Sequence, residues 1–275
     1  MSRMNLEGRT VVITGAASGI GRALARTLSA RGCHLALADV NAAGLEETAR
    51  LVQSNSLRVS THVIDLTDRA AIAALPDVVA ARHGGVDILI NNAGVAIGGT
   101  FDNVAERDFD WLMEINFFAV VRLTRAFMPL IGKSSDARLV YLSSLFGLIA
   151  PPGQTAYSAS KFAVRGFANA LRHELKESGS RIGVTVVHPG GIATNIAESA
   201  RHAESTTAEE RQQALERARR MLKMPPERAA EIITDAIARR ADRVLVGGDA
   251  KFMALLERLA PVSYWKLLQP LMRRS

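Results

Sequence analysis

The chain has 275 residues, is 48% hydrophobic and carries a formal net charge of +7. That length suits one large α/β domain or two small ones, and no linker favours two: the longest irregular stretches, 150–155 and 197–207, lie inside a repeating strand and helix pattern. The basic balance does not make a nucleic-acid groove. Arg217, Arg219, Arg220, Arg239, Arg240, Arg273 and Arg274 fall in late helical patterns, spaced as solvated faces without interleaved aromatics.

The opening residues, "MSRMNLEGR", run into a strand pattern with no apolar signal core, and Cys33 is the single cysteine, so a cytoplasmic, reducing setting is expected. The most apolar segment, 252–272, is broken by Glu257, Arg258, Pro261, Lys266, Gln269 and Pro270, which excludes a membrane span. The six histidines show no metal-ligand spacing, and no metal is expected.

In chain order, short apolar runs rich in β-branched residues occur at 10–14, 34–39, 58–65, 86–92, 137–144, 182–189 and 242–248, separated by amphipathic helical patterns. Strands that are apolar at consecutive positions imply a parallel sheet covered on both faces. The expected fold is one α/β domain over residues 1–275, a doubly wound parallel sheet of about seven strands with ligands beyond their carboxyl ends.

The first strand closes in "TGAASGIG" (14–21), which opens a helix. Gly15 suits the tight turn, Gly19 a close approach of backbone to a pyrophosphate, and Gly21 the packing of helix on strand. The second strand ends at Asp39, where a carboxylate can accept from both hydroxyls of an adenosine ribose. Its charge opposes a 2′-phosphate, with no compensation from Ala17, Val40 or Asn41, so NAD is favoured over NADP. Asn41 can cap the next helix, leaving Asp39 free for the ribose. "DLTD" offers Asp65 for the adenine amino group and Thr67 or Asp68 as a helix cap, and "NNAG" (91–94) suits a turn beside the cofactor.

A loop rich in Pro, Gly and Gln then gives way to a helix that starts with "YSASK" (157–161), which puts Tyr157 and Lys161 on one helix face. Free tyrosine titrates near pH 10, so a phenol that accepts protons at neutral pH needs a positive charge, and the Lys161 ammonium is expected to lower it. Ser144, thirteen residues earlier, ends a strand where its hydroxyl can bond a substrate oxygen.

These pieces together resemble the short-chain dehydrogenase/reductase family in its classical form. The resemblance spans nearly the whole chain and runs in family order through "TGAASGIG", Asp65, "NNAG", Asn116 in "WLMEINFFA", the serines at 143–144, "YSASK" and "PGGIAT" (189–194). It implies a single Rossmann-type domain, a nicotinamide cofactor, interconversion of a secondary alcohol and a ketone, and a catalytic set of Asn116, Ser144, Tyr157 and Lys161. The family's spacing selects Ser144 over Ser143. By the same similarity, Asn116 holds a water that connects Lys161 to solvent. Ser18, Ile20, Leu66, Asn92 and Gly94 line the dinucleotide with Gly15, Gly19, Gly21, Asp39 and Asp65; Tyr157, Lys161, Pro189, Ile192 and Thr194 meet its nicotinamide end. A homotetramer or homodimer is implied, with the helices bearing Asn116 and Tyr157 as contact faces. The rival readings are an NADP-linked carbonyl reductase and a dinucleotide sensor that keeps the fold without chemistry.

Around the reacting carbon the expected lining is apolar: Val95, Ile97, Leu145, Phe146, Leu148, Ile192 and Ile196, with Gln154 as a polar handle, which suits a hydrophobic substrate. Segment 195–224 reads as a helical lid with capping boxes at Thr206 with Glu209 and at Thr207 with Glu210, and an apolar face of Leu215, Ala218 and Leu222. The helical tail, 249–275, is too apolar for a solvated end. Docking on its own domain ranks first, a partner subunit second and a membrane surface third.

Overall fold

A computed structural model describes residues 3–54 and 56–272. In chain order the elements are β1 (Thr10–Thr14), α1 (Gly19–Ala30), β2 (His34–Asp39), α2 (Ala42–Val52), β3 (Val59–Val63), α3 (Arg69–His83), β4 (Ile88–Asn91), β5 (Ile97–Gly98) and α4 (Glu106–Met113). A π-helical turn (Glu114–Phe118) leads into α5 (Ala119–Ile131), followed by β6 (Ala137–Leu142), a 3-10 turn (Leu145–Gly147), α6 (Thr155–Glu177) and β7 (Ile182–Pro189). The chain continues through β8 (Arg201–His202), α7 (Ala208–Met221), α8 (Pro226–Ala238), β9 (Arg243–Val246), α9 (Gly248–Leu259) and α10 (Tyr264–Met272).

Seven strands form one parallel sheet in the order β3-β2-β1-β4-β6-β7-β9. The order reverses between β1 and β4, and a crevice at such a reversal is where this architecture takes ligands. Consecutive apolar residues on the strands feed both faces. Val11 and Ile13 pack with Leu24, Leu28, Ile233 and Ile237 of α1 and α8, whereas Val12 packs with Val79, Leu123, Phe127 and Val164 of α3, α5 and α6. Cys33 sits just before β2, fully buried, and its thiol donates to the Leu6 carbonyl at 3.1 Å.

The seven expected strands are all present, some shorter by one or two residues at their ends. Three details depart from expectation. A two-stranded parallel sheet, β5 with β8, joins the loop after "NNAG" to segment 195–224. Arg240 is not on a solvated face: it is half-buried at a backbone φ of 58° and pairs with Asp136. Of the two capping boxes, only that of Thr207 with Glu210 forms, while Thr206 bonds back to the Ala203 carbonyl. Arg273, Arg274 and the last residues of the tail lie outside the described residues.

Phe127 is fully buried between sheet and helix. Phe127→Ala is expected to destabilise the fold by about 3–5 kcal/mol, seen as a lower urea midpoint with an unchanged m-value.

Candidate active site

The glycine-rich turn after β1 is built against the end of β4. The Asn92 amide donates to the carbonyls of Thr14 at 2.9 Å and Gly15 at 3.2 Å, and the Thr14 hydroxyl accepts from the Asn92 and Ala93 N–H groups. Gly15 has φ of 67°, open to glycine at little cost. A Cβ on Gly21 would overlap the Gly15 carbonyl oxygen, which is why the helix starts so close to the strand. A Cβ on Gly19 would stand 3.2 Å from the Thr194 methyl, so the 189–194 turn and the start of α1 face each other. Ser18 stands at the N-cap without bonding back into the helix, and no acid occupies the first turn, which leaves that terminus suited to phosphate.

Asp39 lies beside this turn but is not free: Oδ2 accepts from the Ala17 N–H and Oδ1 from the Asn41 N–H, both at 3.0 Å. Each oxygen keeps a lone pair, so the two bonds orient the carboxylate and leave it able to accept ribose hydroxyls. Asn41 caps α2 through Gly44, as expected. The nearby Arg22 guanidinium is taken up by Glu47 at 2.7 Å and Thr48 at 3.0 Å. At the end of β3, Asp65 is exposed and holds the Thr67 N–H and hydroxyl, while Asp68 caps α3. Leu66 is half-buried against the core. These features fit a dinucleotide with an unphosphorylated ribose.

Asn116, Ser144, Tyr157 and Lys161 converge past the ends of β4 and β6. Asn116 is fully buried in the π-helical turn between α4 and α5. Its Oδ1 accepts from the Val95 N–H at 2.8 Å, and its Nδ2 donates to the Val95 carbonyl at 3.0 Å and the Ser160 hydroxyl at 3.1 Å. A π-turn shifts one residue in register, a device common at functional sites. Ser144 caps the 3-10 turn, its hydroxyl accepting from the Phe146 N–H at 3.0 Å. Ser143, by contrast, is buried and donates to the Lys161 carbonyl at 2.9 Å.

Lys161 is buried, donates to the Leu142 carbonyl at 3.1 Å, and holds its ammonium 5.5 Å from the centre of the Tyr157 ring. A Cβ on Gly94 would stand 3.2 Å from Nζ and 3.4 Å from the Asn116 Oδ1, so both groups border that glycine. Burial pulls the Lys161 pKa down to about 8. The Tyr157 phenol departs from the expected direction: burial raises it above the ordinary value, and a hydrogen bond with the Ser144 hydroxyl offsets part of the rise. The Lys161 ammonium, 5.5 Å from the ring centre, has no part in that shift.

Two supporting residues escaped the sequence reading. Ser160 accepts from Asn116 and donates to the Tyr157 carbonyl at 2.8 Å, tying the π-turn to α6. His188 of β7, buried and held neutral by a pKa of about 4, meets the Ser144 carbonyl through Nδ1 at 3.0 Å. Only their neighbours in the motifs could have signalled them.

Among the expected lining residues, Ile97, Leu148 and Ile192 are buried in the fold, while Val95, Leu145, Phe146 and Ile196 are half-buried. Phe146 meets the Tyr157 ring edge-on at 6.2 Å. Gln154 starts α6 without a side-chain cap bond. In segment 195–224, α7 has no buried residue; Leu215, Ala218 and Leu222 are half-buried. Arg201 of β8 pairs with Asp108 at 2.9 Å and lies 3.5 Å above the Trp111 ring. At the far end, the Lys223 and Met224 N–H groups bond the Gly191 carbonyl.

The short chain dehydrogenase family profile matches residues 9–205. The chain is 43% identical over 264 residues to the oxidoreductase SadH of Mycobacterium tuberculosis, covering 96% of this chain and 95% of that one. It is 35% identical to mouse dehydrogenase/reductase SDR family member 7B, over 100% of this chain and 84% of the other. A short-chain dehydrogenase/reductase from Burkholderia phymatum, solved in complex with NAD, superposes with a TM-score of 0.87 at 29% identity, covering 94% and 95% of the two chains. One from Mycobacterium paratuberculosis, also bound to NAD, gives 0.76 at 28% identity over 90% and 100%. The chain belongs to the short-chain dehydrogenase/reductase family and is an oxidoreductase of that family.

Lys161 titrates at about 8 in the folded chain against 10.5 when unperturbed, so its buried positive charge penalises folding fully below pH 8 and progressively less up to 10.5. Relative to Lys161→Met, the native chain should therefore gain thermal stability as pH rises through that window. Melting temperatures of the two proteins across pH 7 to 11, flanking the about 8 and 10.5 just given, check it.

Proposed function

We propose that this chain is an NAD-dependent dehydrogenase that interconverts a hydrophobic secondary alcohol and its ketone, with Tyr157 as the acid/base. The observation that carries the reading is the Lys161 ammonium 5.5 Å from the centre of the Tyr157 ring, with Ser144 interacting with the phenol and the dinucleotide shelf alongside. NAD in the structures of two relatives supports the cofactor, as does a fixed Asp39 with no free cation beside it. The half-buried apolar side chains Val95, Leu145, Phe146 and Ile196 favour a hydrophobic substrate.

Ser144 and Tyr157 hold the substrate oxygen by two hydrogen bonds, and the Ser144 loop is kept in place by His188 and the Phe146 N–H. In oxidation Tyr157 takes the hydroxyl proton; in reduction it returns one to the carbonyl oxygen. A bound nicotinamide supplies the acceptor for the hydride lost from the alcohol carbon, or its donor in reverse. With an oxidised nicotinamide bound, Tyr157 would be favoured as phenolate by that ring's charge together with that of Lys161. Lys161, with its pKa near 8, can hand the proton onward at neutral pH. Asn116 has both amide hydrogens engaged but keeps acceptor capacity on Oδ1, the atom that borders Gly94 with Nζ and where a relay water would be held.

Subunit contact through the helices of Asn116 and Tyr157 agrees with aromatic residues left exposed there, Phe118 at 45% and Phe162 at 39%. A homodimer or homotetramer is part of the proposal.

Tyr157→Phe should lower turnover by at least about 10²-fold, with NADH affinity within a few-fold of native, measured by absorbance and fluorescence titration. Full activity in this variant would overturn the assignment, and tight NADH binding with no turnover of any alcohol or ketone by the native chain would favour the sensor reading. Asp39→Ser with Val40→Arg should shift preference from NAD toward NADP, read as a change in the ratio of kcat/KM values.

A further inference from the structure

The tail docks on its own domain through one side only. Tyr264 accepts from the Ala150 N–H at 2.9 Å, Leu268 is buried, and Ala250 of α9 is fully covered. The opposite side of α9 and α10 shows Phe252, Leu255, Leu259, Val262 and Leu267 to solvent, with Leu259 at 74% and Val262 at 93% exposure. Phe252, Leu255 and Leu259 follow helical spacing and form one stripe. A contiguous apolar surface of this kind marks an interaction site.

Charge decides what covers it. The exposed flank carries Lys251, Arg258 and Lys266. The two carboxylates of the described tail are used elsewhere: Asp249 accepts from the Gly191 N–H at 2.6 Å, and Glu257 is half-buried beside Arg243. A second copy of the chain seated by two-fold symmetry would bring three more cations to the same seam and no described tail carboxylate free to meet them. An anionic lipid surface meets both requirements, with acyl chains for the stripe and headgroup charge for the three cations.

We propose that α9 and α10 form a reversible docking surface for the anionic leaflet of a membrane. The helices lie in the interface rather than across it, since no described helix is long and apolar enough to span one. The placement has a geometric corollary. Ala150, gripped by Tyr264, belongs to the loop between Phe146 and Gln154 that borders the proposed substrate site, so the docked enzyme would present that rim near the lipid. The docking itself does not depend on the reading of the active site.

The test is co-sedimentation of the full chain with vesicles of phosphatidylcholine alone or mixed with phosphatidylserine, at low and high salt. Binding is expected to phosphatidylserine vesicles, to fall with salt, and to weaken about fivefold for each of Lys251→Gln, Arg258→Gln and Lys266→Gln. Leu255→Gln with Leu259→Gln should abolish it; circular dichroism and NADH affinity report whether that variant folds, and the single cation variants carry the test if it does not. Absence of binding to phosphatidylserine vesicles, or equal binding by native and variant chains, would overturn the proposal. So would a smaller assembly mass for the leucine variant in analytical ultracentrifugation, which would assign the stripe to a second copy of the chain.

Discussion

A single ammonium group buried where β6 meets α6 constrains most of this molecule. Lys161 leaves water for a site where its one protein acceptor is the Leu142 carbonyl, the last of β6. A charge so placed must be held closely, because desolvation is repaid only at good geometry. The same lysine's backbone carbonyl accepts from Ser143, and a Cβ on Gly147 would collide with that hydroxyl. Strand end, 3-10 turn and helix are thus locked together around one residue, and Ser144 and Tyr157 inherit their positions from the lock.

The arrangement also explains how a phenol with a raised pKa is compatible with base catalysis. Burial makes Tyr157 a reluctant acid. The ammonium stands 5.5 Å from the ring centre, where the proposal has it favour phenolate. In the proposed mechanism the positive charge of an oxidised cofactor would add to that of Lys161, so Tyr157 would be the stronger base when a hydride acceptor is present.

The sheet was legible because a parallel strand buried on both faces writes its burial into consecutive residues: "TVVIT" and "HLALAD" match β1 and β2 end to end. Motifs at strand ends were legible for a related reason, since glycines and amides there answer to backbone geometry. Lost were features set by contacts across the fold. Two-residue strands such as β5 and β8 have no period to read. The π-turn at Asn116 is invisible because its residues differ little from those of a helix. Thr206 and Thr207 present the same capping pattern one residue apart, and only the path of the chain before them chooses between the two. His188 and Ser160 gain their roles from partners 44 residues away in each case, which spacing along the chain cannot supply.

The segment from Gly191 to Met224 is closed on itself by the Lys223 and Met224 N–H bonds to the Gly191 carbonyl and held part-way along by the short ladder of β8 on β5, while α7 buries nothing completely. The family profile stops at residue 205, inside this span. A segment held where it leaves and rejoins the domain can change length and composition without disturbing the sheet. Substitutions along α7 can therefore accumulate while the hydroxyl pair and the lysine stay where they are.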